Sequence, residues 1–108
     1  MPQSINNSDK LMTDKICLVT GANAGLGKIT ALELAKMGAI VVMVARSEAR
    51  GEVALAEVCQ ASGSDRVHMM LADLSSQAST RQLAETFKAN YDRLDVLVNN
   101  AGAIFKDR

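Results

Sequence analysis

The 108-residue sequence has no excess of charge of either sign, because twelve lysine and arginine residues balance twelve acidic ones. This balance gives no support for binding to nucleic acid or to an anionic membrane surface. No apolar run approaches the ~18 residues that a membrane-spanning helix needs. The two cysteines, Cys17 and Cys59, lie far apart and do not form the framework of a disulfide-rich domain.

The N-terminal segment also lacks the apolar core of a secretory signal peptide. Together with the scarcity of cysteine, this predicts a reducing, cytoplasmic environment. The rest of the composition is typical of a soluble globular chain, since 48% of the residues are hydrophobic and 22% are charged. The length fits one domain, which buries roughly two-thirds of the surface that its unfolded form exposes.

The patterning changes at Lys15. Residues 1–14 are polar apart from one apolar pair, and they predict a flexible N-terminal tail. Beyond them, short apolar runs predict strands over 16–19, 40–45, 67–71 and 94–98, and longer periodic segments predict helices over 26–37, 47–62 and from 75 or 76 to 90. The order β-α-β-α-β-α-β predicts an α/β fold with a doubly wound, Rossmann-like parallel sheet.

A glycine-rich turn, TGANAGLG over 20–27, joins the first predicted strand to the first predicted helix. This context suits phosphate binding, because the free N–H groups and the dipole at the start of a helix attract anions. The first glycine allows a tight exit from the strand, the second leaves room for a pyrophosphate, and the third begins a stripe of small residues facing the sheet. The alternative is a glycine-rich loop that binds no ligand. The residues predicted to bind are Gly21, Asn23, Ala24, Gly25, Leu26 and Gly27.

The spacing of these glycines, Gly-x-x-x-Gly-x-Gly, resembles the cofactor turn of the short-chain dehydrogenase/reductase family. Asp73-Leu74 after the third strand and Asn99 to Gly102 after the fourth resemble two further motifs of that family, in the family's order. The resemblance covers essentially residues 14–105. It implies an intact protein that transfers hydride between a nicotinamide cofactor and a small-molecule carbonyl or secondary alcohol.

The end of the second strand bears on the choice of cofactor, because in this fold it faces the adenosine ribose. An acid there hydrogen-bonds the 2′-hydroxyl of NAD, whereas an arginine accommodates the 2′-phosphate of NADP. This sequence has Arg46 and Ser47, which offer a fork of donors, a hydroxyl and a helix N-terminal amide. They favour NADP(H) over NAD(H). The alternative is a solvated arginine at the start of a helix.

The resemblance also implies roles for residues after the third and fourth strands. Asp73 is expected to contact the adenine amino group, and Leu74 to offer a backbone contact. The alternative for Asp73 is a helix cap near Ser75.

After the fourth strand, the resemblance implies main-chain contacts to the cofactor near Asn100 and Ala101. Gly102 then lets the backbone approach the ligand. The alternative for Asn99 is a side chain that bonds to neighbouring strand-end backbone.

No catalytic residue of the family is expected in this chain. The family uses a tyrosine followed four positions later by a lysine, with a serine upstream, but the only tyrosine, Tyr91, is followed at that spacing by Asp95. A nearby acid raises the pKa of a phenol rather than lowering it. The only histidine, His68, has no partner at metal-ligand spacing, so we predict no metal site. Basic residues expected on helical surfaces without a special role are Lys36, Arg50 and Lys88.

The leading interpretation is that residues 15–108 form the N-terminal, NADP(H)-binding part of an oxidoreductase whose catalytic part lies beyond Arg108. The chain alone is then expected to be inactive. The stretch RSEARGE over 46–52 resembles the retinol-dehydrogenase-like branch of the family. Family members commonly pair through helices that this chain lacks, so a homo-oligomer is compatible with the intact protein. The alternative is a non-catalytic dinucleotide-binding or interaction module, or a truncated gene product.

The fourth strand is expected to form an exposed sheet edge in the isolated chain. In a doubly wound sheet the next strands pair beside it, so residues 96–98 lack that cover here. We expect the isolated chain to be marginally stable and prone to association.

Overall fold

The computed structural model of the chain describes residues 11–100. None of the helices in this range is long and apolar enough to cross a membrane. The elements alternate as the sequence predicts. They are β1 (Ile16–Thr20), α1 (Gly25–Lys36), β2 (Ile40–Ala45), α2 (Glu48–Ser62), β3 (Val67–Leu71), α3 (Gln77–Asn90) and β4 (Val96–Asn99).

The four strands form a parallel sheet in the order β3-β2-β1-β4. In its register, Leu18 of β1 lies between Val42 of β2 and Leu97 of β4. The chain runs outward from β1 to β3 and then returns to the other side of β1, which is the reversal of strand order found in doubly wound folds. The predicted Rossmann-like fold is therefore confirmed.

Two apolar layers, one on each face of the sheet, hold the helices. On the first face, α1 and α2 cover alternate strand residues that include the fully buried Val19, Val41 and Met43. On the second face, Leu83 and Phe87 of α3 are buried against the other strand side chains. The central strands are thus covered on both sides, which explains why they appear in the sequence as continuous apolar runs.

The small-residue stripe of α1 lies against the sheet. Gly27, Ala31 and Ala35, spaced four residues apart, are buried there. Because these side chains are so small, the helix axis approaches the strands closely and its N-terminus stays near the end of β1.

Serine hydroxyls define the starts of the other two helices. Oγ of Ser47 accepts a hydrogen bond from the N–H of Arg50 at 3.3 Å, and Oγ of Ser76 accepts one from the N–H of Ser79 at 3.2 Å. Both caps satisfy N–H groups that have no partner within the helix. Of the two serines that the sequence offers for α3, it is the second that caps the helix.

β4 begins at Val96, two residues later than the sequence predicts. The cause is Asp95, whose N–H donates to the carbonyl oxygen of Ile16 at 2.9 Å while its carboxylate accepts from the N–H of Ile16 at 2.8 Å. A side chain therefore takes the position that a backbone carbonyl has in a continuing strand.

Residues 11–14 form a turn at the edge of the sheet opposite the carboxyl ends of the strands. The N–H of Met12 donates to the carbonyl of Met37 at 3.0 Å, and Asp14 pairs with Arg66 at 2.8 Å. Residues 11–14 are therefore not the flexible segment that the sequence predicts, because these contacts bind them to the end of α1 and to the residue before β3. The remainder of that segment, residues 1–10, lies outside the described residues.

Candidate nucleotide-binding site

Loops that follow the strands bring the predicted site residues to one edge of the sheet. Because all four strands are parallel, their carboxyl ends meet there. Gly21 follows β1, Arg46 follows β2, Asp73 lies two residues after β3, and Asn99 ends β4. This edge contains the point between β1 and β4 where the strand order reverses, which is the place where open α/β sheets bind ligands.

Two glycines shape the turn between β1 and α1. Gly21 and Gly25 have φ angles of 60° and 59°, in the left-handed region that favours glycine. A Cβ built on Gly25 meets no atom of the described residues within 4 Å, so the space beside it is open to a ligand. The N–H of Ala22 donates to the carbonyl of Val44 at 3.3 Å and joins the turn to the end of β2.

Gly27 lies where α1 packs on the beginning of the turn. A Cβ at this position would overlap the carbonyl oxygen of Gly21 and lie 2.8 Å from its carbonyl carbon. The lack of a side chain therefore allows the first turn of α1 to sit directly on the strand exit. This is the close packing that the small-residue stripe predicts.

The N-terminus of α1 has no capping side chain, in contrast to α2 and α3. Ala24 occupies the cap position, and the first turn contains no acid. The first N–H groups of a helix lack intrahelical partners and carry the positive end of the helix dipole. Together with the open space beside Gly25, this end of the helix fits a phosphate group.

A cleft of about 170 Å³ lies between the glycine turn and the ends of β2 and β3. Its floor includes the buried side chains of Ala45 and Ala72, whereas Arg46 is exposed. An apolar floor with a cation beside it fits an adenosine whose ribose lies near the solvent. The lining residues, drawn from three loops, are Gly21, Asn23, Val44, Ala45, Arg46, Ala72, Asp73, Leu74 and Ser75.

The carboxylate of Asp73 is oriented by Ser75, whose N–H and hydroxyl both donate to Oδ1, at 3.0 and 2.6 Å. These bonds lower the pKa of Asp73, and the charge of Arg46 lowers it further. The carboxylate is therefore ionised at neutral pH. The alternative role of Asp73 as a helix cap is not seen, because Ser76 caps α3, and Oδ2 of Asp73 accepts no bond from the described residues.

The asparagines at the end of β4 join it to β1 through Thr20. The hydroxyl of Thr20 donates to Oδ1 of Asn99 and accepts from the N–H of Asn100, both at 3.0 Å. The side-chain amide of Asn100 donates to the carbonyl of Thr20 at 3.3 Å. The N–H of Asn100 is thus engaged within the chain. Ala101 and Gly102 lie outside the described residues.

Thr20 is the residue that sequence reasoning misses. It is the one buried polar side chain among the described residues, with 4% of its surface exposed. A buried hydroxyl needs hydrogen-bond partners. The available signal is a threonine at the last position of an otherwise apolar strand, directly before the turn glycine.

Two other predicted site residues have structural surroundings that narrow their roles. The hydroxyl of Ser47 already accepts from the N–H of Arg50, so it caps α2. Leu26 lies in the first turn of α1 with 74% of its surface exposed, and its N–H belongs to the open end of that helix.

Tyr91 lies at the C-terminal end of α3, in an apolar groove whose lining also includes Thr20, Leu74 and Asn99. Its ring stacks on Phe87 with centroids 4.8 Å apart, and burial raises the pKa of its phenol. The pKa of Tyr91 is raised, as the sequence predicts, but burial and not Asp95 is the cause. Asp95 is bonded to Ile16 and Arg93 instead.

Comparisons with known proteins connect this geometry to a family. A family profile described as short chain dehydrogenase matches residues 15–108. Human "Dehydrogenase/reductase SDR family member 13" is 50% identical over 88 residues, which are 82% of this chain and 23% of that protein. "Retinol dehydrogenase 11" of Mus musculus is 36% identical over 104 residues, which are 96% of this chain and 33% of that protein. The chain thus spans between about a quarter and a third of these relatives.

Solved structures share the fold. A protein of Escherichia coli CFT073 assigned to the short chain dehydrogenases, complexed with NADPH, has a TM-score of 0.78 and 31% identity, over 85% of this chain and 39% of that one. A protein of Shigella flexneri 2a str. 301 with the same assignment, complexed with NADP, has a TM-score of 0.77 and 31% identity over the same shares.

Proposed function

The chain belongs to the short-chain dehydrogenase/reductase family, and from this premise we propose that it is the N-terminal, NADP(H)-binding portion of an oxidoreductase. The observation that carries the proposal is the glycine turn at the reversal of strand order, where the uncapped N-terminus of α1 opens onto Gly25. A bound nicotinamide supplies or accepts the hydride. The intact protein acts on a small-molecule carbonyl or alcohol, and we place this protein in the cytoplasm.

Each part of the nucleotide has a proposed partner. The pyrophosphate lies at the N-terminus of α1, beside Gly25. The adenine occupies the cleft, with its amino group near the free Oδ2 of Asp73 and its edge near the backbone of Leu74. On the β4 side, we assign main-chain contacts to Ala101, to Gly102 and to the carbonyl group of Asn100, whose N–H already donates to Thr20.

NADP(H) is favoured over NAD(H) because Arg46 lies beside the cleft and is exposed. A guanidinium fork matches the geometry of a phosphate. Arg46 and Asp73 line the same cleft, and the charge of Arg46 contributes to the lowered pKa of Asp73. The neighbours complexed with NADP and NADPH support the same choice.

Arg46→Asp tests the choice of cofactor. The dissociation constants of NADP⁺ and NAD⁺ are measured by calorimetry for the chain and for this variant. We expect the preference for NADP⁺ to fall by at least about tenfold, because a carboxylate repels the 2′-phosphate and accepts from the 2′-hydroxyl. Arg81→Asp on the exposed surface of α3 changes the net charge equally and should leave the preference unaltered. An unaltered preference in Arg46→Asp contradicts the assignment.

The chain itself is expected to bind the nucleotide without catalysing a reaction, because its one tyrosine, Tyr91, is followed four positions later by Asp95 and not by a lysine. The measurement is NADPH oxidation at 340 nm with a panel of ketones and aldehydes. Turnover by the purified chain would show that the proton-transfer machinery is present after all. Absence of nucleotide binding would favour a non-catalytic interaction module instead.

A further inference from the structure

β4 is the least covered strand of the sheet. Among the described strands it pairs only with β1, and none of its four residues is buried. Nearly all residues of β1 and β2, by contrast, are buried. Because the burial of apolar side chains contributes less to the position of β4, this position depends more on polar contacts at the two ends of the strand.

The carboxyl end of β4 is the end that enters the candidate site. There the N–H of Asn100 donates to the hydroxyl of Thr20, which itself donates to Oδ1 of Asn99. The cleft proposed for the adenosine contains no residue from 96–100 in its lining. A shift of β4 would therefore alter one part of the nucleotide site and leave the cleft as it is.

The amino end of β4 is held by Arg93, three residues before the strand begins. Nε of Arg93 donates to both carboxylate oxygens of Asp95, at 3.2 and 3.0 Å. Nη2 donates to the carbonyl oxygen of Asp14 at 2.8 Å. One guanidinium therefore joins the residue before β4 to the turn that precedes β1.

Asp14 is a fixed acceptor for this guanidinium. Its φ angle is 66°, in a region that residues other than glycine rarely adopt, and two contacts hold it there. Its N–H donates to the carbonyl of Gly38 at 3.3 Å, and its Oδ1 accepts from Arg66 at 2.8 Å. Arg66 also donates to the carbonyl of Gly38, at 2.6 Å. Since Gly38 and Arg66 precede β2 and β3, the amino ends of all four strands are connected around Asp14.

We infer that Arg93 is a positioning residue for the nucleotide site, which it influences by holding β4 in place from the opposite edge of the sheet. The inference rests on the proposed nucleotide-binding function and extends it to a residue that touches no ligand. β4 has four residues and is about 13 Å long at ~3.3 Å per residue. Because so short a strand moves as one segment, a shift at its start reaches Asn100 at its end.

Two nucleotides of different length test the inference. NADP⁺ extends from the cleft to the β4 side, whereas adenosine 2′,5′-bisphosphate ends at the position of the pyrophosphate. Arg93→Met keeps an unbranched side chain and removes every donor. We expect the affinity of this variant for NADP⁺ to fall about fivefold, because the lost hydrogen bonds involve a charged group that is only half exposed. The affinity for the bisphosphate should stay unchanged. Calorimetry on the purified chain measures both.

Two matched variants separate positioning from general effects. Arg81→Met removes the same charge from the exposed surface of α3, and it should leave both affinities as they are. Arg93→Lys keeps a charged donor, and it should recover part of the affinity for NADP⁺. Equal weakening of both nucleotides in Arg93→Met would indicate general destabilisation and overturn the inference. An unaltered affinity for NADP⁺, or no recovery in Arg93→Lys, would overturn it as well.

Amide hydrogen exchange provides a second measurement that needs no nucleotide. In Arg93→Met, exchange of residues 96–100 should become at least about fivefold faster, while exchange of β2 stays the same, because local opening affects the strand that has lost its contact. If Arg93→Met does not fold, Arg93→Lys is used for both measurements, with smaller expected effects in the same direction. Equal acceleration in both strands, or in neither, would contradict the role of Arg93 and leave the proposed function intact. If the unaltered chain binds neither nucleotide, the proposed function and the positioning role fail together.

Discussion

Gly27 shows how one missing side chain positions a ligand site. The helix that would bind the pyrophosphate begins two residues earlier and rests on Gly21 through this glycine. We expect Gly27→Ala to destabilise the chain by about 1–3 kcal/mol, since the added methyl group overlaps a backbone carbonyl that cannot move without opening the turn. Urea unfolding measures the stability, and NADP⁺ titration should show weaker binding.

Gly51→Ala is the matched control for that variant. Gly51 is also a buried glycine within a helix, but a Cβ there would overlap Sδ of Met69, near the end of a flexible side chain, with Cβ of Ala45 at 3.0 Å. Both variants gain helix propensity equally. Two results together would contradict the prediction: Gly51→Ala loses as much stability as Gly27→Ala, and Gly27→Ala still binds nucleotide normally. The close approach of Gly27 to Gly21 would then not position the site.

At the scale of elements, Asp95 ties the start of β4 to the start of β1. The N–H of Ile16 donates to its carboxylate, and this bond, with a contribution from Arg93, lowers the pKa of Asp95. A carboxyl group with a lowered pKa in the folded state stabilises it above the unfolded pKa of about 3.9. That stabilisation is lost as the pH falls through the lower, folded-state pKa.

Asp95→Asn should therefore unfold at lower urea concentration than the unaltered chain at pH 7, and the difference should shrink as the pH falls below about 4. Urea midpoints over this pH range provide the measurement. Asp92→Asn is the control, because the side chain of Asp92 is 88% exposed and comes no closer than 4.0 Å to Arg93. A difference for Asp95→Asn that persists unchanged at low pH would mean that the charge is not its source.

The order and type of the elements could be predicted from the sequence, because apolar runs, glycines and capping serines depend on interactions between residues close together in the chain. The start of β4 could not, since it depends on a carboxylate that replaces a backbone acceptor across 79 residues of sequence. The same holds within the site. Gly21 and Gly25 indicate the turn from the sequence alone, whereas the hydrogen bond between Thr20 and Asn99 forms only when β1 and β4 lie side by side.

At the scale of the whole molecule, one face of the sheet is incompletely covered. An apolar groove of about 490 Å³ runs between α3 and β4, and Leu97 on its floor is 57% exposed. Because contiguous apolar surface beside a sheet edge favours self-association, we expect the 108-residue chain to associate with increasing concentration. Sedimentation velocity should show Leu97→Lys shifted toward monomer.

Ile29→Lys is the control for this shift. Ile29 has a similar exposure, 54%, but lies on α1 and outside the groove. If both variants shift the equilibrium equally, general charge rather than the groove controls association. A chain that stays monomeric at every concentration contradicts the prediction outright.

The bridge between Thr20 and the asparagines of β4 also concerns the order of assembly. Its partners are 79 and 80 residues apart, so the loop that it closes is almost the whole described chain. Closing so long a loop carries an entropic cost that local helices do not have. During synthesis, nearly all of these residues must therefore leave the ribosome before β4 can complete the site. A nucleotide that touched both Arg46 and Asn100 would bind more tightly once β4 has docked, and it would therefore stabilise the docked strand.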